Sequence, residues 1–596
     1  MTQNNGVILE RLSGKKLSIL VGILVIFQII FLLIGCLKFP NATHTESVEG
    51  IMCKEKIKSK LLNDKKTTTK NDEIYYLRDY IGRTISNCER VQTDEHKNVI
   101  LDTRQDEIVY AFQIPLPRDN RVLKLHRFFQ TMTAILQFQV LFPPSIRDNL
   151  KFSENDTAVF HDIPLNVKLA YRNSKDYDDD WHLIASNSKI SKKFKCYKNI
   201  YSLDCDVIQL FELGSVHHEF YAINIKLGES AILNTIKDHD SMNKNLYVVK
   251  ELPEARLVLT FIYQTGGFTQ MWLIMKSCVL PFVFILMCWF WNRIVKLDRK
   301  SNLIERMLFS LGLATTLLNL PVEWLTLYFD LKFMLLYSDL RQGIFYCTLF
   351  TFWIVFCGEH FIDENQISAC STMKSYWKYV GATWFGFICL LAFELCERGM
   401  QLSDPFFSIW DSQNGSNLAI AILILACISC AFYFGLLLYL VFRVYFNFRS
   451  KQSQLPAMSK MRRAYYEGII YRFKFLLAFT LFCAAMTISY FIMNNINESQ
   501  WQLNGDDGSM FNYTGGFFAG VYGLWNIYVS AVMIFYAPSH KNKLNSQNYD
   551  TSTGQLENDE SIEFVNLQTR LANGIDSTAT TTESVLTAFA NKISAS

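Results

Sequence analysis

Net charge is nearly absent from this chain. Its 58 Lys and Arg against 55 Asp and Glu leave a formal +3 over 596 residues. So even a balance excludes the electrostatic footprint of a nucleic-acid binder and shifts attention to where the basic residues fall. The cysteine spacings match no common zinc pattern, even beside His217-His218, because adjacent histidines on a strand point to opposite faces. No apolar run carries a mid-membrane chain of Asp, Glu or His suited to a proton relay, and Gly/Pro-interrupted spans of the coupled-transporter kind are not evident. Metal chemistry and coupled transport are therefore set aside, and no cofactor is expected.

Apolar and aromatic residues are what the chain has in excess. Half of it is hydrophobic, with 47 Phe, 28 Tyr and 11 Trp. A membrane span needs roughly 20 predominantly apolar residues, and eight stretches qualify, at about 17–37, 271–291, 303–322, 343–361, 379–396, 418–442, 475–493 and 516–537. The first follows Arg11, Lys15 and Lys16 but is longer than a signal-peptide core, which reads as an uncleaved signal anchor. With a cytosolic N-terminus, fourteen basic residues fall in the cytosolic loops, eight of them between Arg443 and Lys474. The opposite short loops hold only Lys332, Arg341 and Arg398. The positive-inside rule fixes that orientation and makes both termini cytosolic. All five N-x-S/T acceptors, Asn41, Asn155, Asn414, Asn497 and Asn512, then lie on the lumenal side, where glycosylation occurs.

The chain divides into a cytosolic N-terminus (1–16), a first span (17–37), a lumenal domain (38–270), a seven-helix bundle (271–537) and a tail (538–596). In the lumenal domain, Asp106–Leu116, Ile135–Phe142, Leu165–Tyr171, Phe220–Leu227 and Ala255–Tyr263 carry β-branched and aromatic residues with partial alternation, predicting a mostly antiparallel β-sandwich or small barrel. Residues 54–70 read as a mobile loop, and the Ser/Thr/Asn/Asp-rich tail as disordered. Four lumenal cysteines allow three pairings; proximity favours Cys53–Cys88 and Cys196–Cys205 over the crossed options.

Two stretches stand out. Between Trp324 and Leu340, aromatics and leucines mix with Asp330, Lys332 and Asp339. That composition suits either a segment dipping into the membrane interface or an interhelical loop packed on the bundle. Trp324, Tyr328, Phe333, Tyr337 and Phe345 give it an aromatic lumenal mouth. In the last cytosolic loop, Tyr466-Glu467-Gly468-Ile469 fits tyrosine–x–x–bulky apolar, a clathrin-adaptor signal read in extended form; Tyr466 could equally begin a helix. Among ionisable residues, Glu305, Arg306, Glu323, Glu359 and His360 lie near span ends, where they can reach the interface. Glu394 and Arg398 can pair at i,i+4.

Several runs resemble one family in order along the chain: Leu213-Gly214-Ser215-Val216, Gly266-Gly267-Phe268-Thr269, Pro321-Val322-Glu323-Trp324, Asp339-Leu340-Arg341-Gln342-Gly343, Cys357-Gly358-Glu359-His360, Cys396-Glu397-Arg398-Gly399, Tyr522-Gly523-Leu524-Trp525-Asn526 and Tyr536-Ala537-Pro538-Ser539-His540-Lys541. By these runs the chain is identified as a member of the Wntless family, of invertebrate type. The likeness is strong over about 205–542 and weaker over 40–200. It implies a non-enzymatic cargo receptor for lipid-modified, palmitoleoylated Wnt proteins, with a lipocalin-like lumenal β-sandwich and a bundle like that of G-protein-coupled receptors. The resemblance also implies an acyl cavity open near the lumenal leaflet and contact with membrane lipids. Further implications are endocytosis through the Tyr466–Ile469 signal and a clathrin adaptor, recycling through retromer, and residence in Golgi, endosomes and plasma membrane after the endoplasmic reticulum. A retrieval ending of the vertebrate kind is absent from Asn591–Ser596. The alternative is a G-protein-coupled receptor with a large ectodomain, against which stand the missing acidic-Arg-aromatic triplet and Asn-Pro-x-x-Tyr. An acyltransferase would want a His deep in a span, and His360 sits at an edge.

Overall fold

The computed structural model describes residues 8–11, 14–54, 74–75, 88–89, 108–115, 124–141, 157–174, 181–198, 202–205, 207–227, 255–296, 301–361, 373–454, 456, 460–501 and 513–538. The expected loop beyond residue 54, the tail beyond 538, Asn155 and Asn512 lie outside them.

The chain starts with a short helix α1 (Ile8–Arg11) and the first span α2 (Gly14–Lys38). Ten strands follow: β1 (Thr43–Glu49), β2 (Ile51–Lys54), β3 (Ile108–Ile114), β4 (Met132–Leu141), β5 (Thr157–Arg172), β6 (His182–Lys198), β7 (Ser202–Cys205), β8 (Ile208–Leu213), β9 (Phe220–Leu227) and β10 (Ala255–Gln264). Every described pairing is antiparallel. The order β1-β10-β4-β7-β6-β5-β9-β3-β2, with β8 beside β4, folds as two layers hinged at β7, which pairs β4 on one side and β6 on the other.

Alternation builds the core between the layers. Met132, Ala134, Leu136 and Phe138 of β4 and Leu257, Leu259 and Phe261 of β10 meet Tyr110, Phe112 and Ile114 of β3, Leu165, Val167 and Leu169 of β5, and Ile223 and Ile225 of β9. A period of two puts each set on one face of its strand, as a half-buried sheet requires. The expected β-sandwich is what forms.

The bundle comprises α3 (Gly266–Val295), α4 (Leu303–Asn319), a 3-10 turn (Val322–Leu327), α5 (Met334–Phe361), α6 (Met373–Gln401), α7 (Gln413–Gln454), α8 (Lys460–Trp501) and α9 (Tyr513–Tyr536). Eight described helices are long and apolar enough to cross a membrane. The strand-to-helix junction falls at Thr265, whose N–H donates to the Ala42 carbonyl (3.0 Å). The first span joins the bundle: Gln28 Nε2 donates to the Gly520 carbonyl (2.9 Å), and Gly523 and Gly520 leave room for Phe31 and Leu32. Small residues allow this close backbone approach, and dispersion then holds helices together in lipid. Beneath them, the Ile8 N–H donates to the Ala537 carbonyl (3.1 Å) and Leu9 is buried.

Cys53 and Cys88 are bonded to each other, with Cα atoms 5.1 Å apart across a separation of 35 residues. Cys196 and Cys205 are direct partners in the β6–β7 register. Opposed residues of an antiparallel pair sit about 4.5–5.5 Å apart at Cα, inside the range a disulfide bridges. Non-reduced peptide mapping is expected to find both bridges, and a Cys88–Cys196 crosslink would overturn the local pairing. Loop-closure entropy assigns the first about 4 kcal/mol, so its double Cys→Ser variant should melt at a lower temperature.

Candidate functional site

The end of the bundle that faces the sandwich is organised by a break in a span. Leu320 precedes a proline and is extended (φ −64°, ψ 116°), which ends α4 and sends Pro321 onward into the 3-10 turn. That turn carries Glu323 inward, where it is buried rather than reaching the interface as the sequence suggested. Glu323 Oε1 accepts from Lys276 Nζ of α3 (2.7 Å) and from Arg341 Nη2 of α5, and Arg341 Nη1 donates to the Leu320 carbonyl (2.7 Å). Lys276, Glu323 and Arg341 are 4%, 6% and 1% exposed. Lys276 lies ten residues into α3, about 15 Å along the helix axis.

Non-helical backbone at membrane depth persists only when its polar groups are satisfied inside the protein. Arg341 supplies this by capping the open end of α4. Nearby, Asn319 Nδ2 donates to Asn526 Oδ1 of α9 (2.5 Å), and Asn526 Nδ2 to the Tyr522 carbonyl (2.9 Å). The Trp272 ring lies 5.3 Å from Lys276 Nζ and the Tyr337 ring 5.2 Å from the Arg341 guanidinium. Glu323 Oε2 and the Tyr522 hydroxyl are buried without a hydrogen-bond partner among the described residues. Sequence reading missed this cluster: Lys276 was absorbed into an apolar run and Arg341 counted as a loop residue. The signal available was charge within a span.

The two halves of the molecule meet directly above it. Phe406, from the turn between α6 and α7, enters the sandwich core and packs edge-on against Phe211 (6.0 Å). Arg398 reaches Glu212 of β8, along with Glu394 (3.6 Å) and Asp339 (4.0 Å). Arg127 Nη1 donates to the Leu327 carbonyl (2.6 Å). His217 Nε2 lies 3.2 Å from Asp330 Oδ1, while His218 stacks on Tyr171 (3.5 Å), so the two histidines serve different partners. Burial lowers the His217 pKa, and the Asp330 carboxylate pulls the other way.

The five aromatic candidates do not converge on one surface. Trp324 donates from Nε1 to Ser277 Oγ (3.1 Å), and Tyr337 lies under Arg341. Phe345 is buried beside Tyr346 and Trp525. Tyr328 and Phe333, at 78% and 47%, are exposed, and Leu325 and Phe329 extend that patch. Within the segment, the 3-10 turn ends at Leu327, residues 328–333 form turns and bends, and Met334–Leu340 is the start of α5. Asn41 is exposed before β1 and Asn414 in the first turn of α7, whereas Asn497 lies in α8. Tyr466 and Ile469 also lie in α8, one helical turn apart, so an extended reading requires that turn to unwind.

Other ionisable candidates have local structural partners. Glu305 closes a capping box with Asn302 (2.9 Å), Glu359 Oε1 accepts from the Tyr376 hydroxyl (2.8 Å), and His360 Nδ1 meets the Phe356 carbonyl (2.7 Å).

Breaking a buried charge cluster by removing one partner costs about 3–5 kcal/mol. Glu323→Gln strands two buried cations and should lower the thermal midpoint of the purified protein sharply. Lys276→Met leaves the neutral Glu323–Arg341 pair and should cost clearly less. Equal losses would mean that packing, not charge, governs the site.

Two family models divide the chain where the structure does. "Wntless, GOLD domain" matches residues 61–264 and "Wntless-like, transmembrane domain" residues 265–540. "Protein wntless" of Drosophila mojavensis is 39% identical over 581 residues, spanning 94% of this chain and 96% of that protein. "Protein wntless homolog" of Homo sapiens is 38% identical over 560 residues, spanning 92% and 94%. With a match of that length across both halves, the chain belongs to the Wntless family.

Proposed function

We propose that this protein is a non-enzymatic membrane cargo receptor that binds palmitoleoylated Wnt proteins in the secretory pathway and carries them to the cell surface. Family membership supports Wnt as cargo. The observation that carries the mode of binding is the exposed apolar patch Leu325, Tyr328, Phe329 and Phe333, held between sandwich and bundle by the Arg127–Leu327 and His217–Asp330 contacts. Cargo seated there touches both halves. The sandwich offers polar surface for the protein part, and the bundle takes the acyl chain from water.

A route for that chain lies between α7 and α8. They meet near their cytosolic ends through Phe448 and Phe473 (5.3 Å). Towards the lumen they take different partners. Ser429 donates to the Ala382 carbonyl of α6 and Tyr433 to the Phe350 carbonyl of α5 (3.3 Å). On α8, Thr480 pairs with Tyr528 of α9 (2.9 Å), and Tyr490 accepts from Gln28 of α2 (3.3 Å). Each CH₂ removed from water contributes about 0.8 kcal/mol, so a half-buried chain of about sixteen carbons contributes on the order of several kcal/mol after ordering costs. Of the five aromatics, Tyr328 and Phe333 are the contacts we assign to cargo, and Phe345 a packing residue. Pull-down of acylated cargo against its Ser→Ala variant at the acylation site is expected to show most affinity lost. Equal capture would place recognition in the sandwich alone.

After delivery, the protein would be endocytosed through Tyr466-Glu467-Gly468-Ile469 by a clathrin adaptor and returned by retromer to the Golgi. Gly468 weakens the helix there by about 1 kcal/mol relative to alanine, which eases the unwinding that an extended signal needs. Tyr466→Ala should slow internalisation and raise surface protein measured by biotinylation, with the thermal midpoint unchanged. Unaltered endocytosis would make Tyr466 a helix residue only.

A further inference from the structure

At the end of the sandwich nearest the bundle, β1 carries a carboxylate with no counterpart. Its alternation buries Glu46 and Val48 and exposes Thr45, Ser47 and Glu49. Val48 enters the hydrophobic core, so Glu46, two residues earlier, faces the same interior. Glu46 is 9% exposed and makes no hydrogen bond or ion pair among the described residues. Glu49, the other acid on the strand, points outward and meets Arg256 (3.6 Å). Glu46 faces a cavity of about 170 Å³, whose lining also includes His44, Lys124, Leu125, Phe129 and Tyr263.

We propose that this cavity is a binding site for an alkylammonium group, with Glu46 as its anionic partner. The nearest cation of the lining is committed elsewhere: Lys124 Nζ lies 3.3 Å from Glu219 Oε2 and bonds Ser174. Glu219 itself also accepts from the Ser174 N–H (3.0 Å). The walls are aromatic. Phe129 and Tyr263 meet edge to face at 5.3 Å, His44 tilts against Tyr263 at 5.2 Å, and His126 stacks on Phe129 at 6.4 Å. Ring faces attract cations, and a carboxylate among rings favours an organic ammonium over a strongly hydrated inorganic ion. Calcium wants six to eight oxygen ligands, and the cavity offers one carboxylate. The site lies close to the bundle: Tyr263 is three residues before α3, and Phe129 packs beside Gly266. Its ammonium group could thus come from a lipid headgroup of the lumenal leaflet or from a free amine.

The test uses the full chain in nanodiscs of phosphatidylglycerol, which carries no ammonium, with choline as probe. Saturation-transfer NMR should detect choline binding, whereas 3,3-dimethyl-1-butanol, its uncharged isostere, should bind at least tenfold more weakly. Glu46→Gln should lose at least tenfold in choline affinity, Glu46→Asp should lose less, and Phe129→Leu should weaken binding with the carboxylate intact. No choline binding, equal binding of the isostere to the wild-type chain, or unchanged affinity in a folded Glu46→Gln protein would each overturn the proposal. Phosphatidylcholine nanodiscs separate the sources. Loss of added-choline binding there identifies a lipid headgroup as the occupant, and unchanged binding identifies a soluble amine.

Discussion

Three charges buried in one small volume of a membrane bundle constrain the half of it that faces the sandwich. Lys276, Glu323 and Arg341 come from α3, the 3-10 turn and α5, separated by 47 and 18 residues along the chain. None could stay buried alone, because a lone ion in low dielectric costs several kcal/mol even after relaxation. Each therefore fixes the position of the element that bears the others. The broken end of α4 depends on the same cluster, since Arg341 satisfies the Leu320 carbonyl that the proline leaves without a helical donor. Unpaired, that carbonyl would be a second penalty in the same place.

The sandwich is attached through this fixed region and not merely tethered by two chain crossings. Phe406 is part of the sandwich core yet belongs to the turn joining α6 and α7. Arg398, in the last turn of α6, holds Glu212 of β8 and Asp339 of α5, so one guanidinium joins three elements. An aromatic plug with an ionic rim is the anatomy of a specific interface. Its consequence is geometric: the exposed patch around Tyr328 and Phe333 keeps a set relation to both halves.

Much of this architecture was legible locally. Leu165, Val167 and Leu169 against Asn166 and Lys168 announced a strand, and the run from Leu17 to Leu37 a span, because burial on one face or in lipid writes itself into a short window of sequence. The expected sandwich and the Cys53–Cys88 bond have local causes of that kind. What was not legible is long-range. Glu323 looked like an interfacial residue because its partners lie on other helices. Phe406 enters the sandwich core from the turn between α6 and α7, a docking that no local pattern encodes. Which face Glu46 takes is shown only by the register of β1 with β10 and the position of Val48. Periodicity reports how a residue relates to its neighbours in sequence, and charge pairing and domain docking are not sequence neighbours.

The bundle divides the same way in its energetics. Two-thirds of the span window is buried in α5 and in α9, at 67% each, against 17%, 17% and 22% in α6, α7 and α8. The ionic cluster and its asparagine extension lie on the buried helices and their immediate contacts, where a shift breaks charged hydrogen bonds. The three outer helices mostly face lipid, and between helices in lipid there is little hydrophobic driving force, because acyl tails are as apolar as leucine. On the proposed cargo role, moving α7 from α8 to admit a chain would exchange contacts with lipid tails for contacts with a cargo tail at small net cost. The energetic gain comes from removing that tail from water, not from the opening itself. On the proposed cargo role, a rigid frame facing the sandwich beside a compliant outer wall would let the same bundle take up an acyl chain and release it without disturbing that frame.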